Sequence, residues 1–404
     1  MGLLSLLEVA LMPNLQVLLI CLLGAFLATD YCNILPAHAR NSLNKIVFTV
    51  FTPCLMFANL AKTVTFQDII SWWFMPLNIG LTFLLGGILG WIAVKILKPK
   101  PYLEGLIIGT SSAGNLGNLL LIIIPAICAE EGSPFGDRET CSSLGLSYAS
   151  FSAALGGFYL WTSTFHLVKT SSLRLKELEA SEELLKAPNQ ASNAALHTHL
   201  LHNQHNGEEI ESQQPVAILQ KQEPASLWAK ILQLFHVIIE ELMAPPSLGA
   251  IVGFIFGSVT WLRHLIVGSQ APFRVIQDAI QLLGDGTIPC TTLILGGNLT
   301  QGLRSSKVKA STIVGVIAVR YFALPGIGVF VVKGANALGF LSPDPLYQFL
   351  LMIQYTTPPA MAISTMTQLF GVGQEECSVI LLWTYLAAAL ALAVWSAVFM
   401  WILF

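Results

Sequence analysis

About ten apolar segments follow one another along this chain, near residues 10–29, 44–61, 72–97, 104–127, 143–168, 245–267, 275–297, 308–332, 346–369 and 378–402. One bilayer crossing takes roughly 20 apolar residues, so each segment suffices for a crossing. Backbone inside hydrocarbon must then satisfy its own hydrogen bonds within a helix. Composition agrees: 54% of the residues are hydrophobic and 11% charged, with a mean hydropathy of +0.68, more apolar surface than a soluble core hides. The expected fold class is an all-α polytopic membrane protein with ten transmembrane helices. A net charge of -3, with no basic stripe carrying interleaved aromatics, leaves out nucleic acid as a partner. Residues 2–28 have Glu8 where a signal peptide is basic and no small-residue cleavage site, so they read as a retained first span.

The fourth segment departs from the pattern. Residues 104–126 read EGLIIGTSSAGNLGNLLLIIIPA, with Gly114, Asn115, Leu116, Gly117 and Asn118 where a spanning helix has Leu, Ile and Val. Each Gly costs roughly 1 kcal/mol in a helix interior, and amide side chains in hydrocarbon need partners. Two arrangements satisfy this. One is a helix broken at mid-depth that lines a wet cavity and offers its freed amides to an anion. The other is a Gly-rich packing surface with each Asn bonded to a neighbour.

An internal repeat favours the broken helix. Pro13 and Gly24 match Pro246 and Gly257 at an offset of 233, Pro53-Cys54 matches Pro289-Cys290 at 236, Asn59 matches Asn298 at 239, and Glu130-Glu131 matches Glu375-Glu376 at 245. An offset growing in one direction is what small insertions into a duplicated five-helix unit produce. Five is odd, so the second copy enters from the opposite face, giving two inverted five-helix repeats, a transporter architecture. The ninth segment should then mirror the fourth, and it carries Gln354, Tyr355, Thr356, Thr357, Pro358, Pro359 and Ala360 inside an apolar run. Consecutive prolines remove two donors and clash with the preceding turn, so the helix breaks there. Paired interruptions point to a midplane substrate site, with Gly114, Asn115, Gly117, Asn118, Gln354, Tyr355, Pro358 and Pro359 as candidates and two packing kinks as the alternative.

Residues 170–227 contain no Phe, Trp or Tyr and read as a flexible loop, and residues 228–243 read as an amphipathic helix at the membrane surface. The domains are thus 1–169 and 244–404, one repeat each, with the loop and surface helix between them. Alternate linkers starting from the first carry fourteen Lys and Arg against five on the other side, which makes the long loop cytosolic and both termini lumenal or external. Cys128 and Cys141 then share the oxidising side, as a disulfide or as two separate thiols. The Asn298-Leu299-Thr300 sequon falls on the cytosolic side and is expected to carry no glycan.

Two ionisable groups fall within spans, Asp285 in the seventh and Arg320 in the eighth, and such groups are functional suspects. They read as a structural ion pair or as part of ion coupling. No zinc or other metal site is expected: Cys21, Cys54 and Cys290 sit in apolar runs, and His197, His199, His202 and His205 read as a solvated loop. His166 and His264 stand near span ends and do not read as a catalytic cluster, so neither an enzyme nor a cofactor is expected.

Several motifs resemble those of the plant PIN-LIKES family, within the auxin efflux carrier superfamily: GTSSAGNLGNLLLIIIPAIC at 109–128, EEGSPFGD at 130–137, APPSLGAIVGFIFG at 244–257, GDGTIPCTTLILGGNL at 284–299 and QYTTPPAMAI at 354–363. The resemblance covers essentially the whole chain. It implies ten spans in two inverted five-helix repeats, with broken fourth and ninth helices crossing at the centre. It further implies residence in the endoplasmic reticulum membrane and movement of auxin, indole-3-acetic acid, which sets how much reaches nuclear signalling. The related PIN carriers place a proline at the fourth-helix break, where this chain has Gly114 to Asn118, so the geometry there is expected to differ. Carriage of another small organic anion, a channel and a receptor remain alternatives on the same fold. Oligomeric state is open, a homodimer included.

Overall fold

The computed structural model of the chain describes residues 3–63, 65–129, 133–186, 243–268, 270–305 and 308–404. Within them the backbone is helical apart from turns, connecting segments and one isolated antiparallel bridge, Gly114 to Pro359. The first half holds α1 (Leu3–Leu27), α2 (Ala37–Ile46), α3 (Thr52–Thr63), α4 (Phe66–Ser71), α5 (Phe74–Leu97), α6 (Glu104–Ser112), α7 (Asn118–Ala129), α8 (Arg138–Tyr159) and α9 (Phe165–Lys186). The second holds α10 (Pro245–Ser258), α11 (Thr260–Ile266), α12 (Arg274–Asp285), α13 (Thr287–Ser305), α14 (Ala310–Ala318), α15 (Leu324–Ala337), α16 (Pro345–Ile353), α17 (Ala362–Phe370) and α18 (Gln374–Leu403). Three π turns, Val47–Phe51, Leu160–Thr164 and Val319–Ala323, join α2 to α3, α8 to α9 and α14 to α15. Such turns widen a helix locally and recur at functional sites.

Among the described residues, four helical stretches are long and apolar enough to cross a membrane: Ala37–Lys62, Phe74–Leu97, Ala310–Ala337 and Gln374–Leu403. A fifth, α10 with α11, bends by 104°, because Val259 between them is extended. The sixth segment, expected over 245–267, is therefore bent: α10 has 14 residues, or about 21 Å. The seventh segment also divides, into α12 and α13 at Gly286, so Asp285 is exposed at the end of α12. In the stretch read as a loop from residue 170, α9 continues through Lys186. The sequence there, SSLRLKELEASEELLK, lacks aromatics yet is rich in Leu, Glu, Lys and Ala, all good helix formers. The rest of that loop and the surface helix expected over 228–243 lie, up to residue 242, outside the described residues.

Glycines set the closest packing. A Cβ on Gly24 of α1 would overlap the backbone of Leu293 in α13, and one on Gly296 would overlap that of Cys21. In the same way Gly249 and Gly253 of α10 lie against the backbones of Pro53 and Phe57 in α3. In a membrane, where apolar burial no longer drives association, such close backbone approach supplies the dispersion contact that holds helices together. The first helix of each half therefore packs on a helix of the other half.

Polar and aromatic contacts gather at two opposite ends. At one, Arg40 Nε donates to Asn298 Oδ1 at 2.8 Å, Gln368 Nε2 to Asn41 Oδ1 at 2.9 Å, and Ser172 Oγ to the Phe370 carbonyl at 2.9 Å. At the other, Tyr148 donates to Asp344 at 2.8 Å, and the rings of Phe135 and Phe404, and of Trp73 and Phe340, lie 5.6 Å apart. A disulfide joins Cys128 to Cys141 at this second end, with Cα atoms 5.6 Å apart, which settles the choice left open by the sequence. Beside it Asp137 caps α8, accepting from the amides of Glu139 and Thr140 at 3.2 and 3.1 Å. The Thr140 bond first, then the hydroxyl of the same residue, holds this exposed carboxyl below its usual range.

Candidate functional site

The two breaks foreseen from Gly and Pro meet. Between α6 and α7 the chain leaves the helix at Ala113, which is extended at φ -83°, ψ 105°, and between α16 and α17 it leaves at Gln354 and resumes at Ala362. The loose backbone of each satisfies the other: Asn115 N donates to the Pro358 carbonyl at 2.7 Å, and Ala360 N donates to the Ala113 carbonyl at 2.9 Å. Non-helical backbone is tolerated at depth only where protein or a cavity receives it, and these two segments receive one another. Around the crossing, Asn115 Nδ2 donates to the Tyr385 hydroxyl at 2.9 Å, which donates in turn to the Pro359 carbonyl at 3.1 Å.

The crossing divides into two electrostatic sides. The carboxyl end of α6 and the break after α16 converge on Arg320, which the third π turn carries and which is 1% exposed. Its Nη1 donates to the carbonyls of Ser111 and Ser112 at 3.1 and 3.3 Å. Its Nη2 donates to the Thr357 carbonyl, with Thr357 Oγ1 and the Pro358 carbonyl at 3.4 Å. Gly114 is glycine for this reason: a Cβ there would stand 2.6 Å from Nη2 and overlap Thr357 Oγ1.

The amino ends of α7 and α17 face the other way, onto a cavity of about 110 Å³. Gly114, Asn115 and Gly117 line it from the first break, and Ala360, Met361 and Ala362 from the second. Thr52 and Met56 of α3, Trp161 from the second π turn, and Thr287 and Thr291 of α13 close it. Thr287 is the first residue of α13, so a third helix amino end reaches the same space. Thr287 is 9% exposed, and its hydroxyl has no hydrogen-bond partner among the described residues. First-turn amides of helices have no intrahelical acceptors and carry partial positive charge. The cavity thus combines three helix amino ends and the Thr287 hydroxyl with an apolar wall of Trp161, Met56 and Met361.

The expected site residues divide accordingly. Gly114, Asn115 and Gly117 line the cavity; Asn118 opens α7, and its side chain lies outside the described residues. Pro358 and Pro359 contribute carbonyls to the crossing. Gln354 and Tyr355 turn away: Gln354 Nε2 donates to Ser152 Oγ at 2.9 Å, Asn78 Nδ2 to Gln354 Oε1 at 2.8 Å, and Tyr355 to Asn78 Oδ1 at 3.1 Å. The pairing of Asp285 with Arg320 is also corrected, since Asp285 is exposed and accepts from Gln281 at 2.7 Å while Arg320 binds carbonyls. Thr52, Trp161, Thr287 and Thr291 were not foreseen. A signal existed for two of them: Thr52 and Thr291 flank the Pro-Cys pairs that mark the repeat.

Residues 9–396 match the family described as membrane transport protein, so the chain is a transporter and not an enzyme. It is similar over its full length to Protein PIN-LIKES 7 of Arabidopsis thaliana, at 61% identity over 403 residues and 100% of both chains. Protein PIN-LIKES 5 of the same plant is 58% identical over 404 residues, again 100% of both. An uncharacterized transporter of Saccharomyces cerevisiae is 25% identical over 402 residues, 94% of this chain and 92% of its own. The chain belongs to the PIN-LIKES family.

Proposed function

We propose that this protein is a secondary carrier that moves auxin, indole-3-acetic acid, across the endoplasmic reticulum membrane and so sets its availability for nuclear signalling. The observation that carries the reading is the convergence of helix amino ends and the unpartnered Thr287 hydroxyl on one small cavity with an apolar wall of Trp161, Met56 and Met361. Helix amino ends hold a carboxylate without a full opposing charge, which permits release. At about 110 Å³ the cavity is smaller than the roughly 150 Å³ that encloses benzene, so the two-ring acid enters when the site widens. Asn115 positions the first break through Tyr385, Gly117 and Asn118 begin the α7 amino end, and Trp161 faces the ring.

The architecture read here is ten crossings in two inverted repeats, 1–169 and 244–404. Its support is the alternation of linkers between two ends and the exchanged packing of α1 on α13 and α10 on α3. The disulfide end is read as lumenal, because disulfides persist in oxidising compartments, and the basic end with the long loop as cytosolic. The test is flux of radiolabelled indole-3-acetic acid into proteoliposomes across a pH series. Saturable uptake is expected, reduced about 5-fold or more in Thr287→Val, the equivalent of about 1 kcal/mol. Non-saturating flux assigns a channel, binding without flux a receptor, and stronger competition by unrelated carboxylates another organic anion; each of these overturns the reading.

A further inference from the structure

Arg320 is a buried cation with no carboxylate within ion-pair distance among the described residues. Such a charge is costly unless something negative surrounds it. What surrounds it is backbone: the Ser111 and Ser112 carbonyls at the carboxyl end of α6, and the Thr357 and Pro358 carbonyls from the non-helical break after α16. Carbonyl cages of this kind, at unwound segments and half-helix carboxyl ends, are where broken-helix carriers hold a coupling alkali cation. Here the cage is filled by a side chain that cannot leave.

We infer that Arg320 is a tethered cation standing in the coupling-ion position: it closes the crossing without any mobile metal ion, so that substrate binding on the opposite side needs none. Three observations agree. The guanidinium bridges both breaks at once, Ser111 and Ser112 from one and Thr357 and Pro358 from the other, as a cage ion would. Gly114 leaves room for Nη2 where any side chain would collide. Finally, Nε has no acceptor, so the group is held by charge and carbonyls and not by a specific carboxylate fork. The inference rests on the crossing geometry alone and is independent of which acid the cavity accepts.

The test is thermal unfolding of the purified full-length chain, which needs no substrate. Wild-type protein should unfold at the same temperature in choline, sodium and potassium chloride. Arg320→Ala should unfold about 5–10 °C lower. Millimolar guanidinium or methylguanidinium should restore at least half of that loss, whereas urea, neutral and of the same shape, should not. Arg320→Lys should lose less and gain nothing from guanidinium. A rise in wild-type unfolding temperature on adding sodium or potassium overturns the inference. So does an Arg320→Ala protein that responds equally to urea and guanidinium, or to neither. If Arg320→Ala does not accumulate, Arg320→Lys and the wild-type ion series decide: ion-independent stability in both supports the tethered cation, and alkali-dependent stability in either refutes it.

Discussion

At single residues, the site depends on which side chains are absent as much as on which are present. Gly114 sits where a methyl group would meet Thr357 Oγ1 and Arg320 Nη2, so Gly114→Ala is expected to cost about 1–3 kcal/mol of stability through overpacking, read as a lower unfolding temperature. Tyr385→Phe removes the acceptor of Asn115 Nδ2 and the donor to Pro359. It should cost about 1–3 kcal/mol for the buried groups left unpaired, read as a lower unfolding temperature, and lower uptake of the proposed substrate in microsomes at equal expression. Some of this was readable in the sequence and some was not. Arg320 announced itself as a charge in an apolar run, but its partners are carbonyls, which leave no mark on a sequence. Gln354 and Tyr355 were placed correctly at the break and wrongly in the cavity, because the direction of a side chain beside a broken helix is decided by neighbours such as Asn78 and Ser152.

Among helices, the interruptions were legible wherever Gly or Pro caused them, at Gly114 and at Pro358-Pro359. The bend at Val259 was not, since a β-branched residue in an apolar run reads as a continuing span. Helix α9 was also missed, for lack of aromatics in a stretch whose Leu, Glu and Lys favour helix. At the second end, α7 and α8 are tied by the disulfide across 13 residues of sequence. Cys141→Ser should therefore lose about 3 kcal/mol of stability by the loop-closure argument, measured by unfolding with and without reductant, the wild type falling to the variant's value when reduced. Asp137 adds a pH-dependent contribution. Its carboxyl is lowered by the Thr140 amide and hydroxyl, so its stabilisation is complete above the ordinary carboxylate value of about 3.9 and is lost as the pH falls through the lowered one. The stability difference between wild type and Asp137→Ala should be constant at neutral pH and shrink below about pH 4.

For the molecule as a whole, the exchanged packing of the halves makes a single glycine consequential. A side chain on Gly296 would displace the α1 backbone at Cys21, and Gly296→Val should abolish accumulation of folded protein, seen as loss of the monodisperse peak in detergent. The mutual bonds at the crossing also bear on how the chain is made. Asn115 N has its acceptor at Pro358, and Ala360 N has its acceptor at Ala113, so a ribosome must deliver more than half the polypeptide before either amide can be satisfied. Until then the first segment sits in the translocon or the lipid with a bare break, a state that quality-control machinery recognises. Two fragments divided within the long loop should each be degraded when expressed separately and should rescue one another when expressed together.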